Sequence, residues 1–348
     1  MMKKAWDDST MMRAARCQKT ESVPVWLMRQ AGRYMEEYRK IRERVSFLEL
    51  CKTPELAAEV MITAVQRLGV DAGIIFSDIL LILEPMGLEL EFEPEGGPKI
   101  RNPIRKSSDV ELLRELESIE PLEFVMNTVR YTREGLDDSL PLIGFAGAPF
   151  TLAAYAIEGN SSRNFRQVKA FMHVYPTEWQ EMMTKFAVST ARYLNSQINA
   201  GVQLVQIFDS WIGCLSGEDY KKYVKPYSRM LIDLIVPGTP IIHFGPGNPV
   251  LLPDIRDAGG HVIGIDWRVS VNQAWEIIGA NYAIQGNLDP AILLTNREII
   301  RQSVQHLLRQ VERRPGFIFN LGHGIMPQTP VENAIALVDA VHEFGVVR

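Results

Sequence analysis

Short runs of consecutive apolar, β-favouring residues alternate along the chain with longer stretches in which apolar positions recur every three or four residues. The short runs predict eight strands: Val25–Met28, Gly73–Phe76, Leu142–Ala146, Leu204–Phe208, Pro240–Phe244, Val262–Ile265, Tyr282–Gln285 and Phe317–Phe319. The longer stretches predict amphipathic helices over Pro54–Leu68, Pro121–Leu136, Pro176–Ala200, Gly217–Ile235, Val250–Ala258, Val271–Ile278, Thr295–Arg314 and Val331–Phe344. Pro54, Pro121 and Pro176 suit first helical turns, where a missing N–H costs nothing. Alternation of this kind predicts a parallel sheet, and eight repeats predict its closure. The expected fold class is α/β, a (β/α)8 TIM barrel.

No Pro/Gly/Ser-rich linker divides the sequence, so residues 1–348 are expected to form a single barrel domain, with residues 1–20 as an N-terminal extension or helix. Glu93–Pro103 reads as a long loop or small excursion. A doubly wound open sheet is the alternative, but no G-x-G-x-x-G follows any strand to hold a dinucleotide. The glycine-rich pieces at Gly144–Gly147 and Gly245–Gly247 lack a following Lys-Ser/Thr and are poor phosphate loops.

The 348 residues, 46% hydrophobic and 23% charged, suffice for a large core. A net charge of −5 with no basic stripe gives no support to a nucleic-acid partner, and any anionic ligand must be met by local positive charge. The most apolar stretch, Ala72–Leu83, is interrupted by Ser77 and Asp78 and is too short for a bilayer. The first twenty residues carry no apolar signal region, and Asp7 and Asp8 argue against a transit peptide; the expectation is a cytoplasmic protein without a membrane partner. Cys17, Cys51 and Cys214 have no metal-ligand spacing and read as free thiols serving as small hydrophobes, so no metal is expected.

In a barrel the chemistry sits at the C-terminal strand ends. Those positions hold Arg29-Gln30, Ser77-Asp78, Gly147, Asp209-Ser210, His243-Phe244-Gly245, Asp266, Gly286-Asn287 and Asn320-Leu321-Gly322-His323. Singly, each has an ordinary explanation: Asp78 and Asp209 as helix caps, His323 as a turn histidine, Arg29 and Arg33 as a solvated helix face. Their convergence on one rim points to a binding site. Paired arginines suit a polyanion, whereas the lone carboxylate of Asp78 needs a cationic or N–H-rich partner. A ligand with peripheral carboxylates and central N–H groups meets both demands.

Pro24-Val25-Trp26-Leu27-Met28-Arg29-Gln30-Ala31-Gly32-Arg33-Tyr34 through Glu37-Tyr38-Arg39 resembles the first signature of the uroporphyrinogen decarboxylase family. Gly144-Phe145-Ala146-Gly147-Ala148-Pro149-Phe150-Thr151-Leu152 through Tyr155 and Glu158-Gly159 resembles the second. Ile74–Leu80, Phe208–Gly213, Ile242–Gly245 and Asn320–Gly324 also match in order and spacing, so the resemblance covers essentially the whole chain. Two departures are Glu36, where the family usually has proline, and Phe150, where it usually has tryptophan. The resemblance implies a cofactor-free, metal-free (β/α)8 enzyme, usually a homodimer, of haem and related tetrapyrrole biosynthesis. It would convert the four acetate side chains of uroporphyrinogen III to methyls, giving coproporphyrinogen III and carbon dioxide.

Loss of carbon dioxide from a pyrrole acetate leaves a carbanion, and without a cofactor the substrate must supply the electron sink by protonation of a pyrrole carbon. Asp78, expected ionised, is the candidate to accept hydrogen bonds from the central N–H groups and stabilise the cation. Arg29 and Arg33 would grip peripheral carboxylates, and the resemblance also brings Arg29 near the scissile acetate, with either Arg29 or a water or substrate proton completing the transfer. Gln30, Ala31 and Gly32 complete a segment whose backbone can approach the ligand. Tyr155, Ser210 and His323 match family positions that bind substrate carboxylates. Arg42 matches a basic position, and Phe208 is placed to pack against the macrocycle.

Two rival readings remain at this stage. Zinc-dependent methyltransferases acting with corrinoid proteins resemble the same scaffold, but need His-x-Cys plus a distant Cys, and His243 is followed by Phe244-Gly245. A non-catalytic tetrapyrrole binder is the second.

Overall fold

The computed structural model describes residues 4–93, 97–312 and 314–346. The first three residues of the predicted extension, residues 94–96 of the excursion and residue 313 of the helix predicted over Thr295–Arg314 lie outside the described residues. The strands are β1 (Gly73–Ile74), β2 (Leu90–Glu93), β3 (Gly97–Ile100), β4 (Leu142–Gly147), β5 (Leu204–Phe208), β6 (Ile241–Phe244), β7 (Val262–Gly264), β8 (Ala283–Leu288) and β9 (Phe317–Leu321). The helices of the first half are α1 (Thr10–Ala15), α2 (Glu36–Arg42), α3 (Phe47–Lys52), α4 (Pro54–Leu68), α5 (Glu123–Gly135), α6 (Pro149–Glu158) and α7 (Arg166–Val174). Those of the second half are α8 (Pro176–Ala200), α9 (Gly217–Tyr223), α10 (Lys225–Asp233), α11 (Leu252–Ala258), α12 (Val271–Ile278), α13 (Arg297–Val311) and α14 (Val331–Phe344).

Seven strands form one parallel sheet in the order β1-β4-β5-β6-β7-β8-β9. Helices cover its outer face, so the strands are buried on both sides and read as continuous apolar runs; every residue of β4, β8 and β9 is buried. The predicted first strand, Val25–Met28, is not a ladder. Val25 makes a single parallel bridge to Phe319. Pro24 has no N–H to give, the Leu27 N–H goes to the Gln30 side chain, and the Met28 N–H goes to the Asn320 side chain. The segment nonetheless closes the barrel. Phe319 N–H donates to the Pro24 carbonyl at 2.8 Å on one side, and Asp71 N–H donates to the Val25 carbonyl at 2.8 Å on the other.

The helix predicted over Gly217–Ile235 is two helices, α9 and α10, because Pro226 cannot continue the hydrogen-bond ladder and serves instead in the first turn of α10. The excursion around Glu93–Pro103 is an antiparallel hairpin of β2 and β3. Inside the barrel, Trp26 donates its indole N–H to Gln285 Oε1 at 2.9 Å, and Gln285 Nε2 donates to Gln206 Oε1 at 2.9 Å. This chain runs from the closing segment through β8 to β5, satisfies three buried polar side chains, and fixes the strands beneath the site. At the opposite end, Cys17 after α1 lies 3.8 Å from the carbonyls of Ala280 and Pro315, which precede β8 and β9.

Candidate active site

Arg29 stands at the end of the closing segment in a left-handed conformation, φ 63°, which a non-glycine residue adopts only when its surroundings hold it there. They do so on both sides. Gln30 N–H donates to the Leu27 carbonyl at 2.9 Å, and the Leu27 N–H returns a bond to Gln30 Oε1 at 3.2 Å. Gln30 Nε2 donates to the Ala72 carbonyl at 3.2 Å. The Gln30 side chain is therefore fully buried and points away from the mouth, so its part in the site is to pin the turn rather than to reach a ligand. Ala31 and Gly32 follow, half-buried; a Cβ at Gly32 would stand 3.1 Å from the Arg29 carbonyl, which explains the small residue.

Asp78 lies four residues beyond β1, on the loop that continues from Ile75, whose N–H still pairs with the Ile143 carbonyl at 3.0 Å. Its Oδ1 accepts the Leu80 N–H at 2.9 Å. Burial pushes its carboxyl up to about 6, against the opposing pull of the Leu80 N–H and the Arg29 charge. Desolvation thus outweighs the cation, yet at neutral pH Asp78 is predominantly the carboxylate.

Tyr155, on α6, packs edge-on against Trp211 with ring centroids 5.8 Å apart. Burial first, and then the Asp78 charge, push its phenol up to about 12, while Trp211 and Arg29 draw it down. It therefore remains a proton-bearing donor. His323, beyond β9, is exposed at the rim, and the surrounding protein and then Arg29 and Arg268 lower its pKa against the pull of Asp266. It faces the mouth as a mainly neutral imidazole at neutral pH. Arg29 is the common element: its charge acts on Asp78, Tyr155 and His323 alike.

Ser210 is half-buried just past β5. Phe208, the last residue of β5, stands edge-to-face between Phe145 at 5.5 Å and Phe244 at 5.9 Å and is itself partly exposed, giving the mouth an apolar wall. Arg33 is exposed, and among the described residues its guanidinium has no ion-pair or hydrogen-bond partner; its charge acts on Tyr38 rather than on Asp78. Arg42 departs further from expectation. Its guanidinium donates to the Val45 carbonyl and lies 5.9 Å from the Phe47 ring centroid, so it ties α2 to α3.

Sequence reasoning passed over Arg268. It follows β7 by four residues, pairs with Asp266, and stacks 4.6 Å over the ring of Trp267. Asp266 also accepts the Gly247 N–H at 2.7 Å, so it braces two loops of the rim. The Asp-x-Arg spacing at a strand end was the available signal. A surface cavity of about 280 Å³ beside α2 and α4 touches Ala31 and Tyr38 but none of Arg29, Asp78, Tyr155, Ser210 or His323.

A parallel barrel whose rim sets Asp78 near Arg29, a phenol, an imidazole and an aromatic wall defines a barrel enzyme with a site at the C-terminal strand ends. The chain belongs to the uroporphyrinogen decarboxylase family, whose description, Uroporphyrinogen decarboxylase (URO-D), matches residues 7–344. It is 51% identical over 339 residues to the uroporphyrinogen decarboxylase of Carboxydothermus hydrogenoformans, covering 97% of each chain. It is 48% identical to that of Sorangium cellulosum, covering 96% of this chain and 95% of the relative. Among solved structures, a methyltransferase from Methanosarcina mazei superposes with a TM-score of 0.78 at 19% identity, covering 97% of this chain and 99% of that one, a likeness of fold.

Proposed function

We propose that the barrel mouth binds uroporphyrinogen III and that the residues gathered there remove carbon dioxide from its four acetate side chains, leaving the methyls of coproporphyrinogen III. The protein is a carboxy-lyase of porphyrin biosynthesis. What supports the assignment of roles is the placement of Asp78 on the loop beyond β1, its carboxylate held by the Leu80 N–H and within the field of Arg29.

Asp78 accepts hydrogen bonds from the pyrrole N–H groups at the centre of the macrocycle. When a pyrrole carbon is protonated and the ring becomes the electron sink, the same carboxylate stabilises the positive charge that develops. Low dielectric strengthens that attraction. Arg29 holds the carboxylate side of the substrate and lies where a proton is relayed to the reacting acetate carbon, directly or through water. Arg33 adds positive charge at the outer rim, Tyr155, Ser210 and His323 donate to peripheral carboxylates, and Phe208 supports the macrocycle face. A homodimeric assembly and a cytoplasmic location accompany this reading, without a nucleic-acid or membrane partner; among the described residues no helix is long and apolar enough to cross a membrane.

The methyltransferase reading requires a thiolate-rich zinc site. Cys51 is buried on α3, Cys17 lies under the far end of the barrel, and among the described residues no three His, Cys, Asp or Glu side chains gather to hold a metal. The donors present do not fit that group.

Anaerobic incubation with uroporphyrinogen, followed by chromatography of the porphyrins by carboxylate number, tests the reading. Asp78→Asn preserves shape and removes the charge, and should lower turnover by roughly 10²- to 10³-fold. Near-normal turnover of that variant would remove Asp78 from the proposed role, and wild-type binding without products of seven to four carboxylates would leave the protein a tetrapyrrole binder only.

A further inference from the structure

We infer that Gly324 is a positioning residue for Arg29: the missing side chain at 324 is the seat across which the aliphatic stem of Arg29 lies.

A Cβ built at Gly324 would stand 2.8 Å from Arg29 Cγ, 2.5 Å from Cδ and 3.0 Å from Nε. Three consecutive atoms of one side chain thus run lengthwise over the glycine. The usual conformational reason for glycine does not apply, because the Gly324 backbone is outside the left-handed region and would accept an L-residue. What excludes a side chain there is Arg29.

The backbone on either side of this contact is fixed. Met28, directly before Arg29, donates its N–H to Asn320 Oδ1 at 3.0 Å and accepts the Ile325 N–H on its carbonyl at 2.9 Å. Asn320, in β9, and Ile325, in the loop after it, bracket Gly324 in sequence, so the two hydrogen bonds to Met28 hold the residue before Arg29 against the end of β9 and its loop, with Gly324 between them. With φ of Arg29 fixed at 63°, the direction of its Cβ is set, and the flat glycine lets the guanidinium extend to where Asp78, Tyr155 and His323 feel its charge. A methyl group at 324 would strike the middle of the stem. The stem is flexible and the backbone is pinned, so the guanidinium must move while the fold stays.

The effect on turnover rests on the reading of Arg29 as a substrate-binding group, and the test separates the two. In Gly324→Ala, the His323 ring, followed by nitrogen NMR without substrate and assigned with His323→Gln, should titrate at higher pH, because Arg29 no longer holds it down. Arg29→Ala should produce the same upward shift, and the double variant no further one. In the decarboxylation assay, Gly324→Ala should lower kcat/KM by about 10- to 100-fold in the Arg29 background and less than about twofold in the Arg29→Ala background. An unshifted His323 titration with full activity, or equal losses in both backgrounds, would overturn the seat. A shifted titration with unchanged turnover would keep the seat and remove Arg29 from substrate binding. Should Gly324→Ala fail to fold, the double variant, lacking the stem, should fold; failure of both overturns the inference.

Discussion

Asp71 and Val25 clasp each other twice: the Asp71 carboxylate accepts the Val25 N–H at 2.7 Å, and the Asp71 N–H donates to the Val25 carbonyl at 2.8 Å. This clasp joins the closing segment to the approach of β1 and completes the barrel on the side away from β9. His342 of α14 adds its Nε2 at 3.0 Å from the same carboxylate oxygen. Asp71→Ala leaves the Val25 N–H without its acceptor and should cost about 1–3 kcal/mol, a lowering of Tm by a few degrees. The Asp71 hydrogen bond raises the pKa of His342, so this pair stabilises the fold fully below the ordinary histidine value near 6.5. The contribution fades as pH rises through the raised value. Thermal unfolding of both proteins across that range should show the gap between them narrowing with pH, and equal Tm values throughout would mean the clasp contributes nothing.

The strand and helix order of the barrel was legible because strands buried on both faces need unbroken apolar runs, as in Leu142–Ala146, while the covering helices keep a polar side. The closing segment was misread as a strand for the same reason. Val25-Trp26-Leu27-Met28 is as apolar as any strand, but the N–H groups of Leu27 and Met28 go to the side chains of Gln30 and Asn320, and the second lies almost the whole chain away. The site residues Arg29, Asp78 and His323 carried a signal because charged and polar groups gather at barrel strand ends, whereas Tyr155, on α6, was legible only through the resemblance. Direction was not legible. Whether Gln30 points to the ligand or to Ala72, and whether Arg42 reaches the mouth or the Val45 carbonyl, depends on local turn conformation, which hydrophobic periodicity does not encode.

Asp78 and Arg29 should reveal their proximity in the pH dependence of kcat/KM, which reports groups of the free enzyme. Activity needs the carboxylate, so it should fall on the acid side through a pKa of about 6, the value to which burial lifts Asp78. Arg29 lowers that value, and its removal should therefore let the acid limb move to higher pH, in addition to weakening substrate binding. Anaerobic initial rates over an interval that brackets the raised Asp78 value of about 6 measure both effects. A limb that stays in place in Arg29→Ala would mean the two side chains do not sense one another.

Asp209 and His243 offer a prediction about stability rather than rate. Asp209 Oδ2 and His243 Nε2 face one another at 3.8 Å with no solvent exposure on either side chain. His243 Nδ1 lies 3.3 Å from the Gly259 carbonyl, which only accepts, so Nδ1 carries a proton. Asp209 Oδ1 already takes the Thr151 hydroxyl at 3.3 Å. Burial raises the Asp209 pKa against the pull of His243 and Thr151, so the native protein keeps a proton that the unfolded chain releases above the ordinary aspartate value near 3.9. Between that value and the raised one, the folded state binds more protons than the unfolded, and stability must fall as pH rises. Asp209→Asn supplies an amide N–H toward His243 and an amide oxygen toward Thr151 without any proton to lose. The variant should lack this part of the pH dependence and gain on the wild type in Tm as pH is raised from about 4 toward neutrality, starting from the ordinary aspartate range. A difference in Tm that stays constant over that interval would mean the pair holds no proton of its own.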